Sequence, residues 1–196
     1  MSNLRHTVCC IAILLCGLFR AAAQDATSAV AIDPDVLAKA NAGDPVAQVQ
    51  AGETCAAASE MAQAAAWYKK AADQNDVPGE LRLAVLYRDG GKGFPRDVTQ
   101  AATWYRKAAD QGEPSAQGTL GMLHTVGEGV PRSDVEAYFW LDLAASIAGP
   151  NQSQYAANRQ VVGTRITVDD LTEIQDRETK WKAAHRRPAA ATATAH

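Results

Sequence analysis

The segment of the chain most similar to a phosphate-binding loop is a glycine-rich turn, Gly90-Gly91-Lys92-Gly93. A P-loop requires serine or threonine directly after its lysine, because that hydroxyl holds the metal ion beside the phosphates. Here Gly93 follows Lys92, and Glu128 takes the place of the lysine in a related segment further along the chain. The sequence therefore predicts a structural turn and no nucleotide cofactor.

Catalytic and metal-binding centres need histidine, cysteine and carboxylate side chains at defined spacings. The patterns H-E-x-x-H, C-x-x-C and G-x-S-x-G do not occur in the chain. His124 stands where a related segment has Tyr87, and we expect a half-buried helix residue rather than a base or a metal ligand. Asp33 and Asp35 flank Pro34, an arrangement that favours a helix N-terminus over a catalytic carboxylate pair. These residues predict no catalysis, no metal ion and no cofactor.

Three of the four tryptophans, Trp67, Trp104 and Trp140, recur at offsets of 37 and 36 residues. The segment 65–74 around the first of them returns closely as 102–111. A row of tryptophans could stack on carbohydrate. Because all three occupy the same position of a repeat, we predict instead that they lie at contacts between repeats.

The segments before these tryptophans are also related, since 83–87 matches 120–124 and, more faintly, 51–55. Glycine and proline in 91–95 and 127–131 break the chain into turns. In the second copy, apolar residues after the turn recur at the three-and-four spacing of one helical face. Each unit is thus predicted to consist of a helix A, a Gly-Pro loop and a helix B. The chain is predicted to be an all-α solenoid of about three such helix-turn-helix repeats.

One position of helix A is always small, with Gly52, Ala84 and Gly121 in successive copies. A small residue lets two helix backbones approach closely. The composition agrees, because the chain has 40 alanines but only 3 Phe, 4 Trp and 5 Tyr. Such a composition excludes collagen, a disulfide scaffold and a strand-rich barrel.

These residues resemble the Sel-1-like repeats, relatives of tetratricopeptide repeats with a longer glycine-containing loop. The family pattern is A-x-x-x-L-G-x-x-Y, then G-x-G-V-P-x-D, then A-x-x-W-Y-x-K-A-A. The second copy matches it at Leu83, Tyr87, Gly93, Pro95, Asp97, Ala101, Trp104, Tyr105, Lys107, Ala108 and Ala109. The third copy matches it at Ala116, Leu120, Gly121, Gly127, Gly129, Val130, Pro131 and Asp134. The first copy departs from the pattern because it lacks the Gly-x-Gly loop.

The resemblance covers residues 42–149, in repeats at about 42–76, 77–113 and 114–149. It implies an exported bacterial scaffold that mediates protein–protein interaction in the cell envelope and does no catalysis of its own. The alternative is a hydrolase, or an enzyme subunit, that acts on an envelope or β-lactam-like substrate. A clustered nucleophile and base would favour that alternative, and the sequence shows none.

Residues 1–23 have the parts of a secretory signal peptide: a basic start, an apolar run from Val8 to Phe19, and Ala21-Ala22-Ala23. We predict cleavage after Ala23 and a periplasmic or secreted product. The apolar run is shorter than the ~20 residues of a membrane-spanning helix, so we expect no spanning segment after cleavage. A lipid-anchored envelope protein is the alternative, through lipidation of Cys16. Cleavage after Ala23 would leave Cys55 as the one remaining cysteine, predicted to be a small buried hydrophobe.

The segments on either side of the repeats are predicted from their own patterns. Residues 24–41 are a linker and a short helix that runs from Pro34 to Ala40. Residues 150–185 are predicted to be a pair of capping helices, and 186–196 a disordered tail.

The capping pair is predicted to bury one stripe of each helix. The first helix, 151–166, has inward residues Tyr155, Val162 and Ile166. The second, 168–184, begins after a capping-box threonine, Thr167. Its stripe comprises Val168, Leu171, Ile174, Glu178 and Trp181.

The formal net charge of -3 predicts no nucleic-acid partner, because phosphate neutralisation dominates such binding. A basic cluster recurs in two copies, but Asp142 replaces it in the third, which indicates a solvated face. The cluster comprises Lys69, Lys70, Arg106 and Lys107.

Repeat solenoids build an extended groove from corresponding residues of successive helices. Two registers of helix A lie away from the small-residue contact, so we predict that they face a protein partner. The predicted partner-binding residues are Gln50, Glu53, Arg82, Val85, Thr119 and Met122.

Overall fold

A computed structural model describes residues 30–185 of the chain. The predicted signal peptide, its cleavage site and the predicted disordered tail lie outside the described residues. Within 30–185 the chain forms nine α-helices and no β-strand, so the predicted all-α solenoid is confirmed. The helices are α1 (Pro34–Asn41), α2 (Pro45–Ala57), α3 (Met61–Ala72), α4 (Val77–Asp89), α5 (Val98–Asp110), α6 (Pro114–Val126), α7 (Asp134–Ala145), α8 (Gln152–Gly163) and α9 (Val168–Ala184).

Acidic residues followed closely by proline begin four of the helices. Asp33, Asp44, Asp76 and Glu113 each accept a hydrogen bond from a backbone N–H group in the first turn of α1, α2, α4 and α6. Proline suits the first turn because its missing N–H would have no helical partner there. The carboxylate satisfies donors that the helix leaves free. These helix starts are therefore encoded locally, and the role predicted for Asp33 is confirmed.

The helices alternate between two roles. α2, α4 and α6 are the A helices, and α3, α5 and α7 are the B helices that follow them. Each A helix packs against the B helix after it, and α4 and α6 also pack against the B helix before them. Trp104 and Trp140 are buried, and Trp67 is half-buried against the alanine cluster of α1 and α2. The predicted core role of the tryptophans is confirmed.

The small position of helix A sets the distance between the helices of one repeat. A Cβ atom added to Gly52 would collide with the ring of Tyr68. At Gly121 an added Cβ would lie 2.7 Å from Cγ of Leu141 and 3.0 Å from the carbonyl oxygen of Ala137. Because the second contact is with backbone, a side-chain rotation cannot relieve it. The predicted close approach of the two helices is confirmed.

A buried amide joins an A helix to the end of the preceding helix. Nε2 of Gln48 donates to the carbonyl oxygen of Ala40 at 3.1 Å, and Nε2 of Gln117 donates to that of Ala109 at 3.2 Å. Both glutamines are buried and follow their acceptor by eight residues. The last carbonyls of a helix lack intrahelical partners, so each amide satisfies one of them where water is excluded.

The middle repeat carries Glu80 at this junction instead of glutamine. Glu80 is fully buried, and its Oε2 accepts a hydrogen bond from Nε2 of Gln111 at 2.8 Å. Its Oε1 has no partner among the described residues. Burial raises the pKa of Glu80, although Lys107 and the Gln111 hydrogen bond oppose the rise. An ionised Glu80 is therefore the weakest of the three junctions.

Atypical helices cover both ends of the stack. α1 takes the place of a B helix before the first repeat and buries Ala40 against Ala47 and Ala51 of α2. At the other end, α8 buries Tyr155 and Val162 against α7. α8 ends at Gly163, earlier than predicted, and Ile166 packs on the same cluster from beyond the helix.

The last helix, α9, lies along α7 rather than on the end of the stack. Thr167 and Asp170 form the predicted capping box at its start. Ile174 and Glu178 are buried and Leu171 and Trp181 are half-buried, as the stripe predicted. The prediction for Val168 was wrong, because this side chain is 79% exposed. It is the first residue of α9.

Replacing Gly121 by alanine tests the small-residue contact. Alanine favours an exposed helix by about 1 kcal/mol over glycine, so helix propensity alone predicts stabilisation. Overpacking against Ala137 and Leu141 outweighs this gain in helix propensity. We therefore expect Gly121→Ala to lower the free energy of unfolding by about 1–3 kcal/mol in denaturant melts. Gly149→Ala is the control, since a Cβ there meets nothing within 4 Å. A Gly121→Ala protein as stable as wild type would contradict the contact.

Replacing Glu80 by glutamine tests the junction. The raised pKa means that the folded state favours protonated Glu80, so the ionised side chain destabilises the fold at neutral pH and this loss disappears on acidification. We expect Glu80→Gln to raise the free energy of unfolding at pH 7 by about 1–2 kcal/mol, with a gain that shrinks as the pH falls. Gln117→Glu is the matched control and should act in the opposite direction. Equal stability of Glu80→Gln and wild type at pH 7 would contradict this account.

Candidate functional site on the A helices

The six predicted partner-binding residues all lie on the A helices. Five are exposed and Thr119 is half-buried; the exposed ones are Gln50, Glu53, Arg82, Val85 and Met122. Nη2 of Arg82 lies 2.6 Å from Oε1 of Glu53, which joins α4 to α2. The six therefore belong to one surface of successive repeats, which we call the A face.

Three of these residues, Arg82, Val85 and Thr119, line a groove of about 390 Å³ between α4, α5 and α6. The groove also has residues that the sequence did not single out, above all Arg88 and Tyr105. Arg88 follows Val85 by three residues, so the spacing that relates Arg82 to Val85 could have indicated it. Gln50, Glu53 and Met122 are not part of the groove lining.

The guanidinium of Arg88 is held in place by hydrogen bonds. Its Nε and Nη2 donate to the two carboxylate oxygens of Asp89, at 2.7 and 3.1 Å, and its Nη1 donates to the hydroxyl of Tyr105 at 3.1 Å. The hydrogen bond from Arg88 holds the pKa of Asp89 below its ordinary value. Tyr105 is only 2% exposed, and burial raises its pKa, so its hydroxyl remains protonated.

A smaller apolar hollow of about 130 Å³ lies further along the A face, between α6 and α8. Met122, Val126 and Val161 line it and are 44%, 67% and 59% exposed. Asn158 forms part of its wall, and Nδ2 of this residue is buried with no hydrogen-bond partner in the described part of the chain. Large apolar side chains are thus exposed on successive helices of one face, which is unusual for a surface without a partner.

The opposite side of the repeats, formed by the B helices, carries the basic cluster. Nζ of Lys70 lies 3.7 Å from the ring centre of Trp67, and Nζ of Lys107 lies 3.8 Å from that of Trp104. Both lysines are exposed. The cluster is thus solvated, as predicted, and its ammonium groups also stack on the tryptophan rings.

α9 covers part of the B side through charged contacts. Arg177 donates to both carboxylate oxygens of Glu136 at 2.5 and 2.9 Å, and its guanidinium lies 3.9 Å from the ring centre of Phe139. Burial opposes ionisation of Glu136, but Arg177 outweighs it and lowers the pKa of this carboxyl. At the end of α9, the ring of His185 stacks on Trp181. Within residues 30–185, α9 thus occupies the B side of the last repeat and not the A face.

A second carboxyl of α9 is buried close to a like charge. Glu178 is 8% exposed and faces Asp142 of α7, which pairs with Arg159 of α8. Nζ of Lys182 lies 3.2 Å from Oε2 of Glu178. Burial and Asp142 together outweigh Lys182 and raise the pKa of Glu178 to about 7.

The two described histidines make no hydrogen bond to a nucleophilic side chain. Nδ1 of His124 lies 3.0 Å from the carbonyl oxygen of Pro131, and both ring nitrogens of His185 face carbonyl oxygens. His124 is buried, more deeply than the half-buried position predicted, and burial lowers its pKa. Cys55 is buried as predicted, and burial raises the pKa of its thiol.

The described helices contain neither a cluster suited to a metal ion nor a helix suited to a bilayer. Residues 30–185 contain no group of three or more His, Cys, Asp or Glu side chains placed to hold a metal ion. Among those same residues, no helix is both long enough and apolar enough to span a bilayer.

The Sel1 repeat family model matches residues 60–76, 77–113 and 114–147. Among solved structures, the chain is similar to c5321, a protective antigen present in uropathogenic Escherichia coli strains that displays an SLR fold, with 28% identity and a TM-score of 0.66. That alignment covers 76% of this chain but only 32% of c5321, so the chain spans about a third of the length of that protein. A Sel1 repeat protein from Oxalobacter formigenes is 27% identical with a TM-score of 0.55, over 61% of this chain and 92% of that one. No curated protein matches the chain.

The matched segments fall on the helices described above, from the B helix of the first repeat to the B helix of the third. Residues 60–147 of the chain are therefore Sel1 repeats, as the resemblance predicted. Sel1 repeats form non-catalytic scaffolds that typically mediate protein–protein interaction.

The charge on α9 predicts a pH-dependent stability. Because the folded pKa of Glu178, about 7, lies above its ordinary value of 4.5, the folded state loses stability as the pH rises between these values. We expect Glu178→Gln to be more stable than wild type at pH 8, by about 1–3 kcal/mol, and the difference to vanish near pH 4.5. Denaturant melts across this range measure it, with the exposed Glu173→Gln on the same helix as control. A pH-independent difference would contradict the assignment to Glu178.

Proposed function

We propose that this protein is an exported, non-catalytic scaffold that holds a protein partner of the cell envelope on its A face. The observation that carries the proposal is the unequal covering of the two sides of the solenoid. α9 packs on the B side, whereas exposed apolar side chains, Val85 and Met122, occupy the same register of successive A helices. An open row of this kind suits a partner that extends across several repeats.

Export is supported by the sequence of residues 1–23, whose basic, apolar and small-residue parts follow the order of a secretory signal. We expect the mature chain to begin at Gln24. The contacts of His124 and His185 with backbone carbonyls favour a structural role for these histidines over a hydrolytic one.

Site-specific photo-crosslinking tests the proposed face in the bacterium that encodes the protein. A photoreactive amino acid is placed at Val85 or at Met122 of the full chain, and at the exposed Thr103 of a B helix as the matched control. We expect one shared protein adduct from the two A-face positions and none from Thr103. Val85→Glu in the Met122 crosslinking protein should reduce the adduct several-fold.

Mass spectrometry of the uncrosslinked protein from the same cells reads the N-terminus. A chain that begins at Gln24 supports export, whereas one that retains Met1 contradicts it. Adducts from Thr103 alone, or an A-face adduct unaffected by Val85→Glu, would contradict binding on the A face.

A further inference from the structure

The groove between α4, α5 and α6 combines cationic, apolar and hydroxyl side chains. Arg82 and Arg88 supply the charge, and Pro78, Leu81 and Val85 supply the apolar part. No acidic residue occurs among the described residues that line it. A ligand that complements this surface has a negative group next to an apolar one.

Tyr105 has a hydrogen-bond donor that the protein does not use. Its hydroxyl oxygen accepts from Nη1 of Arg88, so its own proton must point elsewhere. None of the described residues accepts that proton, although the tyrosine is only 2% exposed and borders the groove. Leaving a buried donor unpaired is costly, and an acceptor bound in the groove would satisfy it.

The two other hydroxyls of the groove are already committed. Oγ1 of Thr119 donates to the carbonyl oxygen of Ser115 at 2.8 Å, and Oγ of Ser115 donates to Glu113 at 2.9 Å. The donors left for a ligand are therefore the Tyr105 hydroxyl and the remaining N–H groups of Arg82 and Arg88. All of them prefer an anionic oxygen acceptor.

The charge of the groove suits a single negative charge. Arg82 pairs with Glu53 and Arg88 with Asp89, so each guanidinium is already partly neutralised. The side chain of Arg82 is 57% exposed and contacts Glu53 through Nη2, which leaves its other nitrogens accessible. A monoanionic carboxylate can share these arginines with Glu53 and Asp89, whereas a phosphate dianion would add two charges beside two existing carboxylates.

We propose that this groove binds an aspartate or glutamate side chain of a partner protein, in an extended segment whose neighbouring apolar residue packs on Pro78, Leu81 and Val85. The carboxylate accepts hydrogen bonds from Tyr105, Arg88 and Arg82. The inference rests on the proposed function, because it specifies which chemistry the A face recognises.

The test uses random peptides displayed on phage and selected on the immobilised full-length chain. We expect the enriched peptides to share an acidic residue beside an apolar one. A synthetic copy of the strongest peptide is then compared with its amide counterpart, Asp to Asn or Glu to Gln, by isothermal titration calorimetry. The amide form should bind about tenfold more weakly, since a hydrogen bond to a charged group is lost.

Variants of the protein locate the carboxylate. Arg88→Gln and Tyr105→Phe should each weaken binding of the acidic peptide about tenfold and bind its amide counterpart as wild type does. The matched controls are Tyr68→Phe, the tyrosine at the same position of the preceding repeat, and Arg132→Gln, an exposed arginine that does not line the groove. Each control variant should bind the acidic peptide and its amide counterpart with wild-type affinity. Arg88→Gln alters a partly exposed side chain, and a thermal melt of each variant verifies that it folds.

The outcomes separate the two proposals. Enriched peptides without an acidic residue, or equal binding to wild type, Arg88→Gln and Tyr105→Phe, would overturn carboxylate recognition. If such peptides still lose affinity on Val85→Glu, the A face remains the binding surface and the proposed function stands. If neither Val85→Glu nor Met122→Glu changes the affinity for the selected peptides, the peptides bind elsewhere, and this result would contradict the proposed function itself. A selection that enriches no peptide on the wild-type chain also contradicts carboxylate recognition in this groove.

Discussion

Helix A and helix B of each repeat approach each other closely, and this contact governs how the whole stack is built. It requires glycine or alanine at one position of every A helix, because at Gly121 even a single Cβ atom would meet the backbone of α7. Helices in such close contact bury little surface per residue, so stability comes from repeating the contact along the stack. The many alanines of the chain are the residues that allow this packing, and few large side chains are needed inside.

The same packing decides where polar groups are tolerated. At the junctions between repeats, Gln48 and Gln117 satisfy carbonyls at helix ends that the stack shields from water. Glu80 shows that this position is specified less strictly than the small-residue contact, since a buried carboxyl with no partner for Oε1 among the described residues occupies it. The stack tolerates a less favourable residue at one junction because each repeat contacts only its neighbours.

The two sides of the solenoid are covered differently, and the proposed function rests on this difference. The B side of the last repeat is closed by α9, which contributes Arg177 to Glu136 and Phe139. The A face has no such cover among the described residues and exposes Val85 and Met122 in register. Arg88 and Tyr105 then turn one part of this face into a groove with unused donors, and a scaffold of otherwise uniform repeats acquires a chemically distinct position.

Spacing along the chain was enough to define the repeat, the helix starts at acidic residues followed closely by proline, the small position of helix A and the A-face register of Arg82 and Val85. Periodicity reports these because neighbouring residues of one helix encode them. Only the packing of the helices shows that Tyr105 of helix B reaches the groove beside Arg88 of helix A, that Glu178 faces Asp142, and that Val168 is exposed. These outcomes depend on distances between side chains of different helices and on the path of α9, and no periodic pattern in a single segment contains that information.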